Sequence, residues 1–163
     1  WSQVRAGFPN VRLQRYGPDT DSGTFDFFTE EIVGESQSST SDYIASADDN
    51  YLVKGVSSDK GSLGYFGYAY YIENKDKLKI LGVDNGNGCV TPATTTIADG
   101  SYTPLSRPLF IYINNKSLQR KEVKEFIKFY LENGAQFISE VGYVALADSV
   151  YQENLKVLSN LTE

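Results

Sequence analysis

Four consecutive residues, Asp21-Ser22-Gly23-Thr24, bring a carboxylate, two hydroxyls and a glycine together just ahead of an apolar-periodic run. The chemistry open to such a set is that of an anion cradle. The first-turn N–H groups of a helix have no internal partner, and the macrodipole places partial positive charge at the same end. Gly23 would let a ligand approach the backbone closely, and the hydroxyls of Ser22 and Thr24 can rotate toward oxygen acceptors. The same residues also describe an ordinary helix start, since Ser is a good N-cap. The two readings overlap, because a capping hydroxyl can be shared with a ligand.

Other residues carry weaker suggestions. Asp19 and Asp21 flank the cradle and read either as turn formers or as acceptors for a proton-bearing ligand oxygen. Arg107 precedes an apolar stretch and reads as a structural ion-pair partner or as a cation reaching an anion or carboxylate across a hinge. The aromatic run Tyr65–Tyr71 reads as core packing, with a stacking platform as its functional alternative. Asn115-Lys116-Ser117 and Asn160-Leu161-Thr162 fit the N-glycosylation pattern.

The elements that must hold the cradle follow from periodicity and breakers. Residues 1–21 are turn-rich, with Phe8-Pro9-Asn10 and Gly17-Pro18-Asp19 as breakers and a short strand over Val11–Tyr16. A helix begins at Thr24, with Phe25, Phe28 and Ile32 on one face, Ser22 as N-cap and Gly34 as stop. Residues 35–47 read as a polar loop, and Asp48 and Asp49 cap a second helix through Tyr51, Leu52 and Val56. A short strand near Ser62–Tyr68, a helix over about Tyr68–Glu73 and a strand over Lys77–Val83 come next, then a loop at Asp84–Gly88. Pro92–Ile97 predicts one or two helical turns, and Leu109–Ile113 a strongly apolar strand. Beyond it, Val123, Phe126, Ile127, Tyr130 and Leu131 mark an amphipathic helix interrupted at Gly134. Its face resumes at Phe137, Ile138 and Val141, and Tyr151, Leu155 and Leu158 mark a last helix. Strands mixed with helices at this density indicate an α/β fold.

Composition narrows the function classes. The chain has 163 residues with 40% hydrophobic content, which is ordinary for a globular domain. A net charge of −6 without a basic run argues against nucleic acid as a partner. There is no histidine and one cysteine, Cys89, so a histidine-based triad, a His or Cys₄ zinc site and an internal disulfide are excluded. No metal and no cofactor is expected. No stretch has the apolar length of a transmembrane helix. The chain opens at Trp1 and contains no Met, which predicts that something upstream has been removed.

The stretch Leu13-Gln14-Arg15-Tyr16-Gly17-Pro18-Asp19-Thr20-Asp21-Ser22-Gly23-Thr24-Phe25-Asp26-Phe27-Phe28-Thr29-Glu30 resembles the phosphate-loop segment of periplasmic phosphate-binding proteins, nearest their cyanobacterial-type branch. The resemblance continues in order through Ser41-Asp42-Tyr43, Asp48-Asp49-Asn50, the run from Lys60-Gly61-Ser62-Leu63-Gly64-Tyr65 to Tyr71, and Asp99-Gly100-Ser101-Tyr102-Thr103-Pro104 to Tyr112. It thus covers nearly the whole chain.

The resemblance implies one lobe, plus C-terminal helices, of a two-lobed periplasmic-binding-protein-like α/β fold. Residues 1–163 would form a single α/β domain, the second half of a solute-binding protein whose N-terminal lobe is missing. It implies inorganic phosphate as ligand, bound through Ser22, Gly23, Thr24 and Asp21, and an ABC permease in the inner membrane as partner. The setting would be phosphate import, a form of ion transport, from a periplasmic or cell-surface location, without catalysis. Many family members carry an arginine four residues before the Ser, where this chain has Pro18; Arg15 and Arg107 are the candidates to replace it. The alternatives are a hydrolase of phosphate esters using Ser22, or a non-binding interaction module on the same fold.

Overall fold

In a computed structural model, residues 1–161 are described; Thr162, of the Asn160-Leu161-Thr162 pattern, lies outside them. The chain divides into two compact units, Trp1–Leu81 and Gly82–Glu163.

The first unit is a three-stranded parallel sheet with helices. Strands β1 (Gln14–Pro18), β2 (Ile44–Ser46) and β3 (Ser62–Gly64) stand in the order β2-β1-β3. Helix α1 (Gly23–Val33) connects β1 to β2, and α2 (Asp49–Ser58) connects β2 to β3. The first strand therefore lies in the middle, with its partners on opposite sides: Tyr16 faces Ile44 across one ladder and Gly64 across the other. The side chains of β1 alternate as a pleat demands. Tyr16 packs against α2, where a Cβ on Gly55 would come within 2.2 Å of its ring, and Gly17 lies under Tyr65. Phe25 and Thr29 of α1 and Leu52 and Val53 of α2 are buried. A short helix, α3 (Tyr68–Glu73), follows β3.

Both long helices begin as their sequences require. Ser22 caps α1 and Gly34 ends it in the left-handed region at φ 86°, donating its N–H to Glu30 O. Asp48 caps α2, with its carboxylate accepting the N–H of Asn50 at 2.9 Å.

Three expectations for this unit are corrected. The first strand begins at Gln14 rather than Val11 and runs through Gly17-Pro18. Pro18 ends the strand, and having no N–H it donates nothing to the ladder. The polar stretch 35–47 contains β2, three residues long and so too short to show an alternation. Over residues 77–81 the burial alternates, with Leu78 and Ile80 half-covered between exposed Lys77, Lys79 and Leu81, but among the described residues nothing pairs with 77–82 in a ladder. Alternation requires only an extended chain, whereas a strand needs a hydrogen-bonding neighbour.

The second unit is mainly helical. A two-stranded antiparallel ribbon pairs β4 (Val83–Asp84) with β5 (Cys89–Val90), and the short helix α4 (Thr94–Ala98) follows. Helices α5 (Lys121–Asn133), α6 (Ala135–Ile138) and α7 (Asp148–Asn160) complete it. Leu118, Ile127 and Leu158 form its core, with Ile113, Val123 and Leu131 packed against them. Gly134 separates α5 from α6 as the sequence predicts, although α6 stops before Val141. The apolar stretch Leu109–Ile113 is not a strand: among the described residues none pairs with it, and Phe110 and Tyr112 are 70% and 91% exposed.

Candidate functional site

The cradle is the connection between β1 and α1. Asp19 organises its first half: its carboxylate accepts the N–H of Asp21 at 3.2 Å, and its carbonyl accepts that of Ser22 at 3.2 Å. The turn delivers Ser22 in extended geometry, φ −95° and ψ 126°, as an N-cap requires. Ser22 Oγ accepts the N–H of Thr24 at 3.2 Å, and Ser22 O accepts the N–H of Asp26 at 3.1 Å, the first rung of the helix. Ser22 and Thr24 are half-buried, while Asp21 and Gly23 are exposed.

The cap and cradle readings of Ser22 coexist in this geometry. Capping uses one lone pair of the hydroxyl oxygen, and the O–H proton stays available to an acceptor. The amide of Thr24 is engaged by the cap, so the donors that Thr24 brings to a ligand reduce to its own hydroxyl unless the cap is shared. Asp26, in the first turn of α1, has Oδ1 buried without a hydrogen-bond partner. Its place at the positive end of the helix dipole offsets part of that cost.

Topology gives the cradle its setting. In an open parallel sheet, ligands bind outside the carboxyl ends of the strands at the point where strand order reverses. Here the order reverses at β1, and Asp19–Thr24 leave its carboxyl end. Because β3 runs parallel to β1, Tyr65-Phe66-Gly67 emerge from the same edge beside the cradle.

Two tyrosines, one directly before β2 and one directly after β3, meet the two phenylalanines on the inner face of α1. Tyr65 stacks on Phe28 with ring centroids 3.8 Å apart and 13° between planes. The ring of Tyr43 lies nearly parallel to that of Phe25, at 6° and 6.4 Å, and its hydroxyl donates to Pro18 O at 3.0 Å. Burial first, and then Tyr43, push the Tyr65 phenol up to about 12. Burial, followed by the charge of Asp19, raises that of Tyr43. The sequence reading of Tyr65 as a packing residue agrees with these contacts. It missed Tyr43, whose only signal was its place directly before the unrecognised β2.

The arginine candidates are placed as follows. Arg15 lies on β1 and bonds Asp42 Oδ2 at 2.5 Å, and Arg12 bonds Oδ1 of the same carboxylate at 2.9 Å. Arg15 is therefore committed to a shared ion pair, while its Nε is buried without a partner. Arg107 is exposed in the second unit. The cradle lies outside two surface clefts of the first unit, one of about 390 Å³ beside Trp1, Arg12 and Asp42 and one of about 290 Å³ beside Lys54 and Lys77. Among the described residues no group of His, Cys, Asp and Glu side chains is arranged to hold a metal ion, and no helix is long and apolar enough to cross a membrane.

Comparison with known proteins agrees with this architecture. A family model described as a PBP superfamily domain matches residues 1–133. Protein SphX of Synechococcus elongatus is 46% identical over 152 residues, which are 93% of this chain and 45% of SphX. Phosphate-binding protein PstS of Staphylococcus haemolyticus is 39% identical over 160 residues, 97% of this chain and 49% of PstS. A crystal structure from Planctomyces limnophilus, described as that of "a possible phosphate binding protein", is 48% identical with a TM-score of 0.84, covering 100% of this chain and 58% of the other. PstS from Borrelia burgdorferi, at 23% identity and a TM-score of 0.62, shares the fold. The chain spans about half the length of the curated relatives it matches. On the family match over most of its length, the chain belongs to the PBP superfamily, with Protein SphX and the PstS phosphate-binding proteins among its relatives.

Proposed function

We propose that this chain supplies one side of an inorganic phosphate site in a longer, two-lobed solute-binding protein that serves phosphate import through an ABC permease outside the cytoplasm. The observation that carries this reading is the position of the cradle: a capped helix N-terminus with two hydroxyls, at the carboxyl end of the strand where sheet order reverses. The kinship with proteins named for phosphate binding supports it.

In this reading Ser22 and Thr24 donate their hydroxyl protons to phosphate oxygens, and the backbone around Gly23 approaches the ligand. Asp21 borders the ligand, while a carboxylate from the missing lobe accepts the proton of monohydrogen phosphate, a bond that fully ionised sulfate cannot return. Binding, not turnover, is the activity. Ser22 has no histidine in the chain to serve as its base, and one lone pair of its oxygen is already used by the cap.

A one-sided cradle cannot satisfy most oxygens of a dehydrated divalent anion, and the unsatisfied desolvation cost keeps affinity low. The test is a calorimetric titration of the complete natural protein and of this chain with phosphate and sulfate. Tight, phosphate-selective binding by the complete protein and weak, poorly selective binding by the chain are expected. Absence of saturable phosphate binding by the complete protein would overturn the proposal. Tight selective binding by this chain would show that residues 1–163 hold the whole site.

A further inference from the structure

The cradle turn begins and ends at residues that a single side chain holds. Strand β1 stops at Pro18, which is buried and has no N–H, so its carbonyl is its one main-chain hydrogen-bonding group. The hydroxyl of Tyr43 bonds that carbonyl at 3.0 Å. The ring of the same tyrosine lies parallel to Phe25, the first residue after the cradle. Tyr43 therefore grips the residue entering Asp19–Thr24 and the residue leaving it. Its own root is anchored one residue earlier, where Asp42 holds Arg12 and Arg15.

We infer that Tyr43 is a positioning residue for the oxyanion site, setting the separation of the two ends of the turn and hence where the Ser22 and Thr24 hydroxyls point. The inference rests on the reading of Asp21–Thr24 as the ligand site. A displacement of about 1 Å in a site of directional donors is enough to lower binding markedly, and the Tyr43 hydrogen bond to Pro18 adds to the β1–β2 ladder in resisting that displacement at the strand end.

The experiment compares three variants in the complete natural protein. Tyr43→Phe keeps the ring and removes only the hydroxyl. Val53→Ala, in the buried face of α2, is the control for a loss of stability away from the turn. Thr24→Val tests the ligand site itself. Each is measured for phosphate affinity well below its melting temperature and for amide exchange at Asp21–Thr24. Tyr43→Phe is expected to weaken phosphate about three- to tenfold and to speed exchange in the turn by a similar factor, with Val53→Ala altering neither. If Tyr43→Phe binds phosphate as tightly as the unsubstituted protein while Thr24→Val does not, the positioning role is wrong and the site stands. If Val53→Ala weakens binding as much as Tyr43→Phe, the effect is one of stability and the inference fails. If Thr24→Val changes nothing, the site reading fails and takes the inference with it.

Discussion

The ring of Tyr65 covers Gly17 so closely that a methyl group there would lie 2.6 Å from Cε1 and 3.0 Å from Cζ. Glycine at this position is a packing requirement: it opens the space above β1 in which Tyr65 can stack on Phe28 and support the helix that carries the cradle. Gly17→Ala should therefore destabilise the protein by about 1–3 kcal/mol through overpacking. Thermal or urea unfolding measures this. A neutral result would show that Tyr65 moves aside freely.

Thr24→Val preserves shape while removing one hydroxyl. A hydrogen bond to a charged ligand contributes about 1.5–3 kcal/mol, so phosphate affinity of the complete protein should fall about tenfold or more. Calorimetry reads this directly, and an unchanged dissociation constant would exclude Thr24 from the site.

Ser22→Asp separates capping from ligand binding. Aspartate caps as well as serine and favours the positive helix end, so stability should change by less than about 0.5 kcal/mol. The same substitution removes a donor and places a negative charge against an anion, so phosphate binding should weaken at least about a hundredfold. Retained stability with lost binding is the expected pair of results; retained binding would reduce Ser22 to a cap alone.

Alkaline unfolding should report on Tyr65. Its phenol is held protonated in the folded state, from an ordinary 10.0 up to about 12. Stability from this group is thus fully present below pH 10 and is lost between pH 10 and 12, as the unfolded chain ionises first. Tyrosinate absorbance combined with urea unfolding should show that loss, and Tyr65→Phe should reduce its steepness. An unchanged pH profile in Tyr65→Phe would mean that another group is responsible.

The apolar stretch after Arg107 gives a test of the fold. With Phe110 70% exposed, Phe110→Ser should cost less than about 0.5 kcal/mol in this chain. Leu52→Ala, at a side chain with 0% exposure, should cost about 2–5 kcal/mol. Comparable losses in the two melts would show that Leu109–Ile113 is packed in solution as its composition suggests.

Much of the cradle is legible in the amino-acid sequence, because its determinants are local. A hydroxyl at Ser22 ahead of Phe25, Phe28 and Ile32 with Gly34 behind them defines a capped amphipathic helix, and cap hydrogen bonds span only two to four residues. The Asp48 cap and the break at Gly134 are legible for the same reason. Strand assignments fail wherever the decision is non-local. Residues 77–82 and Leu109–Ile113 have the alternation or the apolarity of strands, yet among the described residues neither has a ladder, while the inconspicuous Ile44–Ser46 has one. Whether an extended segment is a strand depends on a neighbour far away in the chain, and no local pattern states that neighbour.

By itself, then, the sequence determined the candidate segment Asp21-Ser22-Gly23-Thr24, the helix that begins there and the absence of histidine chemistry. Only the tertiary structure decided that β1 sits between β2 and β3, so that the candidate cradle opens where strand order reverses, and that Tyr43 and Tyr65, at the ends of those two strands, pack on Phe25 and Phe28. The physical reason is the difference between closing a hydrogen bond across two residues and bringing together residues 25 or 37 positions apart, such as Pro18 with Tyr43 or Phe28 with Tyr65. The first is a matter of backbone dihedrals and side-chain type. The second requires the whole sheet to form, because the entropy of closing those loops is repaid only by the packing of every strand and helix in the unit.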